Sequence, residues 1–262
     1  HKGFNVTGSD DAIFSPSKER LEKHGLLPNQ MGWFPDKITS DLDAIILGMH
    51  ARENNPELAK AKELNIPIFS YPEYIYEQSK NKKRVVIAGS HGKTTTSTVV
   101  TTLLAIVGED PTAVIGGVVP CFGSNGHTGK GRLLVAEADE SDGSLVKFKA
   151  SLGVITNLEL DHTDHYRNLD DLIETMKTFG RGCERLLINQ DDPILKEHFQ
   201  ADACWSVQHF ETADYAALPV QLDGDRTIAN YYEQGQQVGR ITLPLPGLHN
   251  LSNVLAAIAA CR

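Results

Sequence analysis

The stretch Val85-Val86-Ile87-Ala88-Gly89-Ser90-His91-Gly92-Lys93-Thr94-Thr95-Thr96 decides how this chain is read. Four residues of strand character run into a glycine turn, and the turn opens a helix at Lys93. Glycines let backbone N–H groups converge on phosphate oxygens, and a helix N-terminus adds positive potential. A lysine at this place can reach β- and γ-phosphates, and the hydroxyl of Thr94 can sit on Mg2+. The spacing is a compact G-x-x-G-K-T. The longer G-x-x-x-x-G-K-[ST] form would need glycine at position 87, where Ile87 stands. Strand, loop and helix are in the order that a phosphate site requires. The expected nucleotide-binding residues are Gly89, Ser90, His91, Gly92, Lys93, Thr94 and Thr95.

On both sides of this loop, short apolar runs alternate with helix-like segments. Upstream, strands are expected at residues 4–8, 44–47 and 66–69. Helix starts follow at Ser15-Pro16, Asn55-Pro56-Glu57 and Tyr71-Pro72-Glu73, because Ser and Asn cap helices and Pro suits the first helical position. Downstream, strands are expected at residues 84–88, 133–136, 153–156 and 186–189. This alternation implies an α/β fold with a parallel sheet and right-handed crossovers. Segments 226–232 and 238–243 flank a glycine-containing loop and read as a β-hairpin. The polar break Lys80-Asn81-Lys82-Lys83-Arg84 divides a small α/β domain, residues 1–80, from a larger one, residues 81–262.

Three further clusters fall where strands should end or helices begin. Glu137-Ala138-Asp139-Glu140-Ser141-Asp142 follows the run at 133–136. Ligands of open α/β sheets bind outside the carboxyl ends of strands, so a carboxylate here could hold the Mg2+ that neutralises ATP phosphates. Asn157-Leu158-Glu159-Leu160-Asp161-His162-Thr163-Asp164-His165 follows the run at 153–156 and is rich in metal-ligand types. Taken alone, that cluster also fits a metal-dependent hydrolase. His249, Asn250 and Asn253 sit near one edge of an Ala-rich helix. They could read an adenine edge, or the asparagines could cap the helix.

Composition narrows the field. Among 262 residues, 25 Lys plus Arg face 34 Asp plus Glu, a formal net charge of −9. That argues against a non-specific nucleic-acid binder, which carries a basic surplus. No apolar run approaches the roughly 18 residues of a membrane span, so no membrane insertion is expected. Cys121, Cys183, Cys204 and Cys261 are scattered with no C-x-x-C pair. They read as free thiols of a cytoplasmic protein. The chain opens at His1 as if already inside a fold, and residues 255–262 read as a helix cut off in progress.

Together these motifs resemble the Mur ligase family, the ATP-dependent amide-forming enzymes of peptidoglycan assembly. The matching features are G-[ST]-H-G-K-T-T-T, A-E-A-D-E-S-D, T-N-x-E-x-D-H and G-x-H-N-x-x-N, in the family's order across residues 89–253. Thr7-Gly8-Ser9-Asp10 and Asn55-Pro56-Glu57-Leu58 extend the likeness upstream. The resemblance implies a partial Rossmann-like domain that binds UDP-N-acetylmuramate, followed by a phosphate-loop ATPase domain. It further implies a first strand before His1 and a C-terminal domain after Arg262.

Residue by residue, the resemblance gives Lys93 the β/γ-phosphates, Thr94 and Glu137 one Mg2+, and His162 a second. It makes Lys93, Glu137 and His162 the catalytic set and places adenine against His249, Asn250 and Asn253. The implied reaction joins an amino acid or short peptide to UDP-N-acetylmuramate through an acyl phosphate. His91 and the A-E-A-D-E-S-D run favour the branch that adds L-alanine. Gly48-Met49-His50 and Tyr71-Pro72-Glu73 depart from that branch and leave open the one that adds a preformed tripeptide. Asn125-Gly126-His127 stands where the family commonly has Asn-Ala-Arg. Lys177 is not carried over as the modified lysine of some members. A nucleotide-binding module without catalysis is the reading of another class.

Overall fold

The computed structural model describes residues 3–48, 53–140, 144–160 and 166–262. The chain forms two compact units, His1–Tyr74 and Ile75–Arg262. The first contains α1 (Ser17–Lys23), β1 (Ile45–Leu47), α2 (Pro56–Glu63) and β2 (Ile68–Ser70). β1 and β2 pair in parallel, with α2 as the crossover between them. Asn55 starts α2 by accepting hydrogen bonds from the Glu57 and Leu58 amides at 2.9 and 3.3 Å. Pro56 takes the first helical position, where its missing N–H costs nothing. Ile38, Ala61 and Ile66 form a small core beneath.

The strand expected at residues 4–8 is not formed. That segment carries no ladder, and Phe4 and Val6 are exposed. An apolar alternation becomes a strand only where a partner edge accepts its hydrogen bonds, and none does so here.

α3 (Tyr71–Gln78) leads out of the first unit. The division between units falls within it, because Ile75 already packs on the core of the second unit. The second unit then runs β3 (Lys83–Ala88), α4 (Lys93–Ile106), β4 (Thr112–Val119), β5 (Ser124–His127), β6 (Leu133–Glu137), β7 (Leu152–Ile155), α5 (Leu169–Arg181) and β8 (Leu186–Asn189). It ends with α6 (Pro193–His198), β9 (Ala203–Ser206), β10 (Tyr215–Leu222), β11 (Thr227–Glu233), β12 (Gln236–Leu243) and α7 (Leu248–Cys261).

All ten strands join one sheet in the order β12-β11-β10-β9-β8-β7-β3-β6-β4-β5. The run from β10 to β4 is parallel, while β5 at one end and β11 and β12 at the other are antiparallel. The expected hairpin is β11–β12. Its turn is Gln234-Gly235, with φ of 49° and 75°. Two successive left-handed residues match the twist of a two-residue hairpin.

Alternation along the strands shows that both faces are covered. Val86, Ala88, Leu134, Ala136 and Ile155 pack with Leu172, Met176 and Phe179 of α5. Val85, Ile87, Val135 and Val154 pack with Val100 and Leu104 of α4 and with Leu251 and Leu255 of α7. Fully burying a Val, Leu, Ile, Met or Phe side chain in this way contributes about 1.5–3 kcal/mol. Parallel strands between helix layers read as continuous apolar runs for this reason. β3 lies at the switch point: β4 follows it on one side beyond β6, and β7 lies on the other. A crevice therefore opens at the carboxyl end of β3.

Candidate active site

The chain leaves β3 through Gly89, whose φ of 125° admits only glycine. A Cβ there would also run into the Thr156 hydroxyl and the Asn157 carbonyl. Gly92, at φ 82°, caps α4, and a Cβ on it would strike the Asn253 side-chain amide. Both glycines are thus fixed by conformation and by contact. The loop and the first turn of α4 border a cavity of about 290 Å3. Ser90, His91, Gly92, Lys93, Thr94, Thr95 and Glu137 line it. Six of the seven loop residues expected for the phosphates are in that lining, and His249, Asn250 and Asn253, expected for adenine, are not. The seventh loop residue, Gly89, makes the turn behind it.

Glu137 ends β6 beside β3. Its Oε1 accepts from the Thr94 hydroxyl at 2.7 Å, and its Oε2 accepts from the Gly116 amide of β4 at 2.8 Å. A hydroxyl and a carboxylate side by side are hard oxygen donors of the kind Mg2+ takes, alongside water and phosphate. His162 falls outside the described residues, as do Asp161, Thr163, Asp164 and His165. Among the described residues no group of three or more His, Cys, Asp or Glu gathers to hold a metal.

The Lys93 ammonium donates to the Gly89 carbonyl at 2.7 Å and to both oxygens of Glu140 at 2.8 and 3.0 Å. The Lys93 side chain is 12% exposed and that of Glu140 is 1% exposed. The loop is also tied to the segment after β7. Asn157 accepts from the His91 amide and donates to the His91 carbonyl, both at 2.9 Å. The Ser90 hydroxyl donates to the Glu159 carbonyl and accepts from the Glu159 amide, again at 2.9 Å. On the rim, the His91 ring meets the Glu159 carboxylate at 3.1 Å. Sequence reasoning gave Glu140 and Asn157 no separate role. Their only signal was membership of the clusters at strand ends.

α7 brings Asn253 against Gly92, within reach of the loop. Asn250 donates to the Pro246 carbonyl at 2.7 Å, and the His249 ring lies over Gly247. Asn250 therefore ties down the turn before the helix and does not cap its free N–H groups. The helix is held to the sheet by Trp205, whose indole N–H donates to the Ser252 hydroxyl at 3.0 Å.

Other flagged residues lie elsewhere. His127 pairs with Asp110 at 2.8 Å and stacks on Phe122 with centroids 3.8 Å apart. The hydrogen bond from His127 is the main cause that holds the Asp110 carboxyl below its usual range. Lys177 forms a surface pair with Glu174 at 2.9 Å. Met49 and His50 are outside the described residues. The four cysteines are free thiols, and burial pushes Cys183 up to about 12.

Such a glycine loop at the switch point, with a lysine, a threonine hydroxyl and a carboxylate on the next strand, defines a phosphate-loop α/β protein. Residues 87–261 match the Mur ligase middle domain. The chain belongs to the Mur ligase family.

Over its whole length it is 65% identical to the UDP-N-acetylmuramate–L-alanine ligase of Synechococcus sp. (strain CC9311), of which it covers 55%. It is 56% identical to the ligase of the same name from Prochlorococcus marinus (strain MIT 9313), covering 54% of it. The chain thus spans about half the length of the curated relatives it matches. Its fold matches the crystal structure of the UDP-N-acetylmuramate-alanine ligase of Thermotoga maritima with a TM-score of 0.79. The identity there is 26%, over 97% of this chain and 58% of that one. The UDP-N-acetylmuramate:L-alanyl-gamma-D-glutamyl-meso-diaminopimelate ligase of Neisseria meningitides shares the fold with a TM-score of 0.86. Identity is 24%, and the match covers 99% of this chain and 86% of that one. Among the described residues no helix is long and apolar enough to cross a membrane.

Proposed function

We propose that this chain supplies the muramate-binding and ATP-binding parts of a ligase that joins L-alanine to UDP-N-acetylmuramate in peptidoglycan precursor synthesis. The domains proposed are residues 1–80 for UDP-muramate and 81–262 for ATP. The observation that carries the reading is the convergence of Lys93, Thr94 and Glu137 at the carboxyl ends of β3 and β6. The relatives' names supply the substrate and L-alanine.

The chemistry follows from charge. A carboxylate is a poor electrophile, so the muramyl carboxylate first attacks the γ-phosphate of ATP and ADP leaves. The amine then attacks the resulting acyl phosphate, loses a proton and expels phosphate. Catalysis is chiefly positioning and charge stabilisation. Lys93 and the loop amides bind the β/γ-phosphates. His249, Asn250 and Asn253 bind adenine, the last from its place on Gly92. Thr94 and Glu137 would hold Mg2+, which supplies positive charge to the phosphates. His162 is proposed for a second ion. The location proposed with this activity is the cytoplasm.

The test is phosphate release by the intact protein given ATP, Mg2+ and UDP-N-acetylmuramate, with L-alanine and the tripeptide supplied separately. Turnover with L-alanine is expected. Turnover with the tripeptide alone would replace L-alanine as the amine, and no turnover with ATP consumed by neither would favour a binding module.

A further inference from the structure

We propose that Glu140 is a positioning residue, holding the Lys93 ammonium where it meets the β- and γ-phosphates of the nucleotide. The inference rests on the proposed ATP site and deepens it. Two carboxylates leave β6 three residues apart, and the structure gives them different partners. Glu137 faces Thr94 and Gly116, whereas Glu140 faces Lys93. The Glu140 side chain is 1% exposed. A carboxylate that deep needs a compensating charge, and Lys93 supplies one at 2.8 Å.

The backbone that carries this carboxylate is itself anchored. The buried Tyr166 hydroxyl donates to the Glu140 backbone carbonyl at 2.6 Å. Tyr166, Glu140 and Lys93 thus form a chain from the core to the loop. A free lysine would have to give up much side-chain rotamer entropy on meeting a phosphate. Here the ordering is already complete. The ammonium has three N–H donors. The Gly89 carbonyl, the Glu140 carboxylate and, at 3.3 Å, the Ser90 carbonyl take these, and a phosphate oxygen entering the loop would replace the long Ser90 contact.

The experiment is calorimetric titration of the intact protein with ADP and, in parallel, AMP, which lacks the phosphates Lys93 would meet. Charged hydrogen bonds of this kind imply that Glu140→Gln weakens ADP binding about tenfold or more while AMP changes less than about twofold. Glu140→Asp keeps the charge but retracts it by one methylene, and should lose ADP affinity to a smaller degree, about threefold. A merely structural role would weaken both nucleotides alike, and that result, or unchanged ADP affinity, overturns the proposal. Should the Gln variant fail to fold, the Asp variant decides by the same ADP-selective loss. Lys93→Ala separates the two levels. If it binds ADP as the parent does, the ATP site itself is wrong. If it loses ADP while both Glu140 variants keep it, only the role of Glu140 falls.

Discussion

Gly92 sits where three demands meet: a left-handed φ of 82°, the start of α4, and the Asn253 amide against its Cα. An alanine there must strain the backbone and displace Asn253. Gly92→Ala should therefore destabilise the fold by about 1–3 kcal/mol and weaken nucleotide binding further, as read by thermal melting and ADP titration.

Cys183 offers a pH test. Burial raises its thiol from 9.0 to about 12, so the folded state resists the charged form. Its contribution is fully present below pH 9, where the thiol is protonated folded or unfolded. It is lost as pH rises from 9 towards about 12, because the unfolded chain ionises first. Cys183→Ala should melt less steeply with pH across that window than the parent. Equal slopes would remove burial of this thiol as a cause of alkaline unfolding.

The site was legible to the extent that its residues are local. Gly89 through Thr95 form one run, and Glu137 ends a strand. Glu140, Asn157 and Gly116 meet their partners 47, 66 and 21 residues away, across strand neighbours that spacing alone does not disclose.

Among elements, those with strong local chemistry were readable. The Pro-led starts of α2 and α3 and the apolar strands β3, β6, β7 and β8 all stand close to their expected places. β4 carries Gly116-Gly117, which dilute its strand character, and β5 is Ser124-Asn125-Gly126-His127, a polar edge strand with little propensity. β10 contains Pro219, which the ladder tolerates at a bulge between Pro219 and Gln221. These strands are specified by pairing and not by composition, so no strand is expected there from the sequence. The reverse error at residues 4–8 has the same cause. At the start of α5, Asn168 accepts from the Asp171 amide at 2.9 Å. α5 seals one face of the sheet, so Asn168→Ala should cost about 1 kcal/mol in a denaturant melt, while Asn168→Asp should cost little.

At the scale of the whole molecule, the net charge of −9 would repel a nucleotide triphosphate unless the site supplied local positive potential. Lys93, the loop amides and the α4 N-terminus supply part of it, but Glu137 lines the same crevice and Glu140 is buried against Lys93. Glu140 is matched by Lys93, which leaves the Glu137 charge to be met by a cation. Nucleotide binding should therefore depend on Mg2+ through Glu137 and Thr94. A ligand that binds only the native state stabilises it by about 2.7 kcal/mol at a hundredfold excess over Kd. ADP with Mg2+ should raise the melting temperature of the intact protein, and chelation should remove most of the rise. In Glu137→Gln the repulsion is gone, so the rise with Mg2+ should shrink while ADP alone binds as well as before or better. A variant that keeps the full Mg2+ dependence would show that another residue holds the ion.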